Sequence, residues 1–505
     1  MAFDPPRLIE FLHSMTDWTP RVVQEAKLKE LEQRLAGLPD KLNLLFEQAR
    51  LLSSLGRLEE AKRVYGQILG LASPAQFAAL NNLGNLLYET GSVAKARMVF
   101  QEAVLHDAHN PIGHFNLAKA LYENGDLAAA RTHYETTLRL DPNHAGAHQG
   151  LGNVLTDQGD PAAARPHYEK AFQDSAIRIS PYRGKAKPIP LLLVVSIDDS
   201  NAPLRPHLNN RLFEVAALVI EFFDPAVPLP KHAVAFNAIG DPDLSRPSVE
   251  AAVRVLANLP TPVLNRPEAV LKTGRVENAA RLGRLPDVTT ARTASLSRAL
   301  LAGSGEQAEA ELAARGFAFP FLLRSPGYHA GRHFVQVGNR DELAAAVAGL
   351  PGDALTVLQF LDVRGADGKI RKYRVMMIGG KLYPLHAAVS QDWKVHYFSA
   401  DMNESPEHRA EDQAFLENMP QVLGEKAMGA LKAVQAELGL DYAGIDFSLG
   451  KDGELILFEA NATMTVVRPP SGELWDYRRR PVQRIYEAVL NMIVARAESH
   501  AGHAE

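Results

Sequence analysis

The chain has 505 residues, 46% hydrophobic and 22% charged, which excludes a disordered or collagen-like polymer and suffices for two to four domains with buried cores. A formal charge of -5, from 54 Lys and Arg against 59 Asp and Glu, gives no global attraction to nucleic acid or an anionic membrane, so neither is expected as a partner. Cysteine is absent, which removes disulfides, thiolate metal sites and a Cys nucleophile. No basic stretch followed by an apolar core opens the sequence, and no segment approaches the ~18 apolar residues of a membrane span; a cytoplasmic protein is expected.

The first half is periodic. Gly56, Gly91, Gly125 and Gly159 recur at spacings of 35, 34 and 34 by subtraction. Ala61, Ala96, Ala130 and Ala164 follow them in phase, as do Tyr65, Phe100, Tyr134 and Tyr168. Ala49, Gly84, Ala118 and Gly152 precede them in the same phase. The pattern describes a helix hairpin: the glycine makes the turn, small residues let paired helices approach, and the aromatic fills the gap between neighbouring hairpins. It resembles the tetratricopeptide repeat, ~34 residues long, and implies an all-α solenoid of about four repeats over 42–178, with capping helices in 1–41. Such arrays bind a peptide or protein segment, so a peptide or protein partner is expected. His114, His133, His144, His148 and His167 share no tight ligand spacing and are expected to face solvent rather than a metal.

Residues 179–188, rich in Pro, Gly and cations, read as a linker. An α/β pattern follows. Residues 190–197 and 233–239 read as strands, 211–223 mainly as a helix running into an apolar strand, and 247–258 as a helix; together they form an α/β subdomain over 189–285.

Near the other end, the β-rich runs 442–449 and 454–461 flank the step Asp452-Gly453, a strong hairpin signal. If these two residues are the loop, Lys451 faces Glu454 and, counting outward, Asp446 faces Glu459. Asn461 then shares the face of Glu459, because side chains alternate. Opposed carboxylates in apolar strands call for a cation, and two acids with an amide oxygen are hard ligands suited to Mg²⁺.

The Asp on one strand and Glu-x-Asn on the next resemble the ATP-grasp superfamily, which includes D-alanine ligases, glutathione synthetase and ribosomal-protein glutamate ligases. The resemblance runs over about 188–495 and implies an α+β catalytic module over 286–497. Asp446, Glu459 and Asn461 would be ligands of Mg²⁺, with Mn²⁺ as a substitute. Ala318-Phe319-Pro320-Phe321-Leu322-Leu323-Arg324 is similar to the family strand that ends in a phosphate-binding cation, here Arg324. The stretch 325–333, with Gly327 and Gly331, is similar to the glycine-containing loop over the phosphates. Leu355 to Leu361 resembles the adenine hinge, with Gln359, Phe360 and Leu361 as contacts. Asp362 is the nearest acid for the ribose, and Asp367 lies in the following turn. The strand, Gly379-Gly380 turn and strand of 372–381 is similar to the family segment in which an Arg lies over the γ-phosphate, here Arg374, and 267–275 resembles the stretch that supplies another cation, Arg275 in preference to Lys272.

Two departures bear on the substrate. Ala462-Thr463-Met464-Thr465 replaces the loop usual after Glu-x-Asn, and 387–396 lacks an Arg at the expected substrate position, where Lys394 or His396 would stand in. The resemblance implies an ATP- and Mg²⁺-dependent ligase that activates a carboxylate as an acylphosphate for attack by an amine. The repeats would hold a peptide or protein substrate, with a small carboxylate or amine as co-substrate. A phosphotransferase, or a non-catalytic adaptor regulated by nucleotide, are the alternatives. Val482, Ile485, Val489 and Ile493 mark a packing helix over 481–497, and 498–505 reads as a flexible tail.

Overall fold

The computed structural model describes residues 19–35, 42–55, 57–71, 76–180, 182–184, 186–198, 200–303, 305–328, 331–395, 397, 400–469 and 472–501. Gly56, His396, 502–505 and most of the expected N-terminal cap lie outside the described residues. Two compact units emerge: one from the described residues up to Ile189 with 209–216 and 222–227, the other from 190–208, 217–221 and 228 onward.

In the first unit, Thr19–Leu35 precedes four helix hairpins: Leu42–Ser54 with Leu58–Leu69, Gln76–Glu89 with Val93–His106, Pro111–Glu123 with Leu127–Leu140, and Ala145–Asp157 with Pro161–Phe172. Local chemistry starts the helices where the period requires. Asn110, Asp126 and Asp160 cap the helices that follow them, and Pro111 and Pro161 take first-turn positions where no amide hydrogen is needed. Gly91, Gly125 and Gly159 turn the chain with φ of +80, +80 and +85°, a conformation that costs any residue with a Cβ. Each phased aromatic presses on a small residue: a Cβ on Gly84 would stand 2.4 Å from the Phe100 ring, and one on Gly152 would stand 2.7 Å from Tyr168. These contacts lie inside one hairpin, whereas Tyr134 presses on Gly150 of the next, so the aromatics seal both kinds of helix interface.

Two histidines expected to face solvent are buried. His114 and His148 are 7% and 4% exposed, and their Nδ1 atoms lie 2.9 Å from Nδ1 of His133 and His167, the same arrangement 34 residues apart. His114 Nε2 meets the carbonyl oxygen of Ala108, and His148 Nε2 that of Pro142, each at 3.0 Å. A carbonyl only accepts, so each of these Nε2 atoms carries the hydrogen and each Nδ1 accepts from its partner.

After the array come β1 (Ile177–Ile179), β2 (Ile189–Val195) and β3 (Phe213–Val219), with β1 beside β3. The stretch 211–223, expected to be mainly helix running into an apolar strand, is thus strand β3 from Phe213, with Val215, Leu218 and Val219 buried. Nor is the expected linker a free tether: Ser180, Arg183 and Ile189 donate backbone hydrogen bonds to the carbonyls of Val215, Asn210 and Leu212.

The second unit holds three sheet regions. β2 runs parallel to β4 (Val234–Asn237), and β4 to β5 (Val263–Leu264). A five-stranded sheet contains β6 (Val288–Thr290). A four-stranded antiparallel sheet, ordered β7-β10-β8-β9, is built from β7 (Thr293–Ser297), β8 (Phe321–Arg324), β9 (Phe334–Val337) and β10 (Ala354–Gln359). Phe321, Leu323, Leu355 and Val357 join Leu312 and Val347 from its helices in one core, so alternation sends Arg324, Thr356 and Leu358 to the other face. The five-stranded sheet, ordered β12-β11-β13-β14-β6, adds β11 (Ile370–Ile378), β12 (Lys381–Ser390), β13 (Tyr442–Leu449) and β14 (Leu455–Asn461). Helices Pro406–Glu417 and Asp476–Ala501 pack on β12, and Met419–Leu438 packs on β14. Asn265, wholly buried, gives its amide to Tyr442 O and accepts from Tyr442 N, tying β5 to β13 within this unit.

Two outcomes follow for the array. Gly84→Ala forces a methyl into the Phe100 ring and lowers stability by about 1–3 kcal/mol, measured by urea denaturation under circular dichroism. Burial holds His133, His148 and His167 below the ordinary imidazole range, so the unfolded chain binds protons first on acidification. Their contribution is present above about pH 6.5 and falls away below it. Replacing both pairs with Asn flattens that part of the stability-pH curve.

Candidate functional site

The centre of the site is a transverse row on the five-stranded sheet. His386 of β12 pairs with Arg374 of β11, Arg374 with Asp446 of β13, and Asp446 with Glu459 of β14. The route to this register differs from simple counting. The chain turns at 450–454 rather than in a two-residue loop: Leu449 pairs with Leu455, one step off the count from Asp452-Gly453, and a β-bulge at Phe458 restores Asp446 to Glu459. A second bulge, at Leu385, brings His386 rather than Leu385 opposite Arg374. Both bulges adjoin the row, and such insertions re-aim side chains. Leu385, His386, Phe458 and Glu459 accordingly all face one cavity.

Charge in the row is compensated within the protein. Arg374 grips Asp446 through Nε at 2.5 Å and a terminal nitrogen at 2.7 Å, and Lys372 Nζ adds a contact at 3.3 Å. Burial alone would raise the Asp446 carboxyl; Arg374 and Lys372 win and hold it well below the usual carboxylate range. Glu459, half-buried, receives Arg275 at 2.5 Å and the Asn461 amide at 3.0 Å, and it too is lowered, by Arg275 and then Arg324 against burial. Asn461 Oδ1 accepts from the backbone and hydroxyl of Thr463. Arg275 opens the helix Arg275–Leu282, where its backbone donates to Asp243 at 2.7 Å. Arg324, at the end of β8, is brought down to about 10 by burial and by Arg275; its guanidinium donates to the Tyr328 carbonyl and lies 5.6 Å from the Phe334 ring. His386 is held well below its ordinary value by burial, Arg374 and Arg478, and stays neutral.

Two cavities meet at this row. The larger, about 810 Å³, is lined by Arg275, Arg324, Arg374, Asp446, Glu459 and Asn461 together with Gln359, Phe360, Leu361 and Gly331. The smaller, about 200 Å³, shares Arg275, Arg324, Glu459 and Asn461 and adds Gly327 and the hydroxyls of Thr293, Ser295 and Thr356. Gly327 and Gly331 have φ of +78 and +73°. Gln359 donates its backbone N–H to Arg292 at 2.8 Å. Asp362 is exposed, clamped by Arg364 at 2.6 Å, and lines neither cavity, although Leu361 and Val363 on either side of it line the larger one. Asp367, the other acid in that turn, is bound by Arg371 at 2.8 Å.

Two carboxylates on facing strands and an amide oxygen suit a hard cation, yet each carboxylate already has a guanidinium. Among the described residues no three His, Cys, Asp or Glu cluster as ligands. The set fits Mg²⁺ only if the arginines find other anions.

Residues 46–111 and 115–176 match the tetratricopeptide repeat family model. This region is a tetratricopeptide-repeat array. Similar solved structures include MamA 41-end from Desulfovibrio magneticus RS-1, 22% identical, with a TM-score of 0.28, covering 30% of this chain and 84% of that one. Another is a tetratricopeptide repeat protein from Parabacteroides merdae, 22% identical, with a TM-score of 0.25, covering 26% and 53%. No curated protein matches the chain significantly. Tetratricopeptide repeats stack into extended surfaces for protein partners, which gives the first unit an interaction role. No helix among the described residues is long and apolar enough to cross a membrane.

Lys372, His386 and Arg478 are among the cavity residues with no role assigned from sequence. Lys372 shares the face of Arg374 two residues on, and that spacing was a usable signal. His386 was hidden by the bulge, and Arg478 by its place in the run Arg478-Arg479-Arg480. Lys394 lines the larger cavity and donates to Phe334 O at 3.1 Å; His396 lies outside the described residues. Asp446→Ala leaves Arg374 and Lys372 without their carboxylate and lowers stability by about 3–5 kcal/mol, read from urea denaturation by tryptophan fluorescence.

Proposed function

We propose that the second unit is an ATP-dependent ligase module of the ATP-grasp type, joining a carboxylate to an amine, with the repeats holding a peptide or protein substrate. The observation that carries the reading is the row of Arg374, Asp446 and Glu459, which opens on cavities also lined by Arg275 and Arg324. The three guanidinium groups Arg275, Arg324 and Arg374 converge where a polyphosphate would need them. Asp446, Glu459 and Asn461 would hold Mg²⁺, which when bound offsets phosphate charge. Arg324 and Arg275 would release their present contacts to phosphate oxygens, and Arg374 would face the transferred group. Gln359, Phe360 and Leu361 would border the base, and Gly327 and Gly331 leave backbone N–H groups free to approach phosphate. The chain provides placement and charge, and the reaction needs no side-chain nucleophile.

A second reading has its own support: both carboxylates are neutralised without a metal, as in a non-catalytic adaptor whose nucleotide module regulates the repeats. Calorimetric titration with a non-hydrolysable ATP analogue separates the two from an empty site. Magnesium-dependent binding, weakened at least about tenfold in Glu459→Gln, is the expected result. Phosphate release on adding carboxylate and amine then favours the ligase, a phosphorylated product the phosphotransferase, and binding without turnover the adaptor. A folded protein that binds no nucleotide refutes the proposal.

A further inference from the structure

Seven Lys and Arg side chains line the larger cavity against two acids, Asp446 and Glu459, each of which already has its own arginine. Arg478 has no comparable partner. It is 5% exposed, and its closest acid, Asp412, stands 3.7 Å from Nε, beyond hydrogen-bond range. The oxygens of Asp412 are taken by the Ala387 backbone at 2.7 Å, Tyr397 at 3.0 Å and Tyr477 at 2.7 Å. Among the described residues Arg478 Nε therefore has no hydrogen-bond acceptor, and a terminal nitrogen makes a 3.4 Å contact with Leu385 O. The guanidinium lies over the Tyr397 ring at 4.1 Å, and His386 packs on that same ring at 4.6 Å between centroids. His386 is 7% exposed, lines the same cavity, and makes no hydrogen bond among the described residues. Asp412 balances the charge of Arg478 from 3.7 Å but leaves its Nε donor unmet, and an unmet buried donor is costly unless an acceptor completes it.

The walls next to this group are apolar. Trp393 meets Phe334 edge-on at 5.4 Å and Phe360 at 6.5 Å, and Val395 and Met464 continue the lining. A small hydrophilic anion would leave that surface facing water, whereas an aromatic or branched body would cover it.

We propose that His386 and Arg478 form a subsite for the anionic group of a carboxylic acid with an aromatic or bulky aliphatic body, which packs against Trp393, Phe334 and Phe360. This rests on the reading of the cavity as a ligase site, where the acid would stand beside Arg374 in the row, but its recognition needs no nucleotide. Lys394 and His396, the cations expected from sequence to hold the substrate, are replaced in this role by residues of β12 and of the helix Asp476–Ala501.

The test is calorimetric titration of the full-length protein with 3-phenylpropionate, acetate and phenethylamine. Binding of 3-phenylpropionate at least about tenfold tighter than acetate, with none of phenethylamine, is expected. Arg478→Lys, which keeps the buried charge but loses the fork, and Trp393→Leu should each weaken the aromatic acid about tenfold, with folding checked by circular dichroism. Equal affinity for acetate, binding of the amine in preference, or variants that bind like wild type would overturn the subsite. The same samples titrated with ADP and Mg²⁺ report the nucleotide site separately. Acid binding without ADP binding rejects the ligase reading alone, and ADP binding without acid selectivity rejects the subsite alone.

Discussion

A carboxylate inside an apolar sheet must be neutralised where it stands, and the second unit is arranged around that requirement. Asp446 is 4% exposed and sits in β13, where every neighbour but Leu449 is buried. It remains charged because Arg374 and Lys372 reach it from the adjacent strand, two residues apart on one face. Their positions demand that β11 and β13 pair in this register alone, since a one-residue slip would turn both cations to the opposite face. Glu459 adds the same constraint on β14, and Arg275 satisfies it from a helix outside the sheet. Removing a partner costs more than the pair contributes, so the row fixes register more than it adds stability.

Much of the array was legible because a solenoid writes its geometry into the period. Small residue, glycine and aromatic each occupy one place per repeat: the turn glycines take a positive φ, and small residues such as Gly84 and Gly152 leave no room for a larger group beside the aromatic. The histidine pairs were not legible. Their members lie 19 residues apart on two helices of one hairpin, and that separation has meaning only once the hairpin packing is known. Strand β3 was misread for a related reason: alanine favours helix locally, but burial among strands decides the outcome.

In the second unit, counting from the turns gave the correct opposition of Asp446 and Glu459 through a loop that does not exist. The error of one residue at the turn is cancelled by the bulge at Phe458. The same kind of insertion at Leu385 had no compensating error, so His386 stayed invisible as a partner of Arg374. Bulges leave no strong mark in side-chain alternation, and they concentrate beside functional rows because they allow two successive residues to face one side. Asp362 is placed differently from the sequence expectation. Proximity to the hinge in sequence says nothing about direction, and Arg364 two residues later is enough to hold it at the surface.

The compensation seen in the row also limits how any ligand can enter it. A phosphate that drew Arg275 away would leave Glu459 facing Asp446 with less positive charge nearby, and a hard cation taken alone would leave two guanidinium groups without their anions. Either event uncovers a charge in a poorly solvated place, where the cost is several times that at a surface. Under the proposed function the exchange balances only when both arrive together: carboxylates pass to the cation and guanidinium groups pass to the phosphates, with no group left bare. On that proposal the ion pairs that support an adaptor reading would be the resting form of a site that takes a metal-nucleotide complex as one unit, and metal and nucleotide would bind cooperatively.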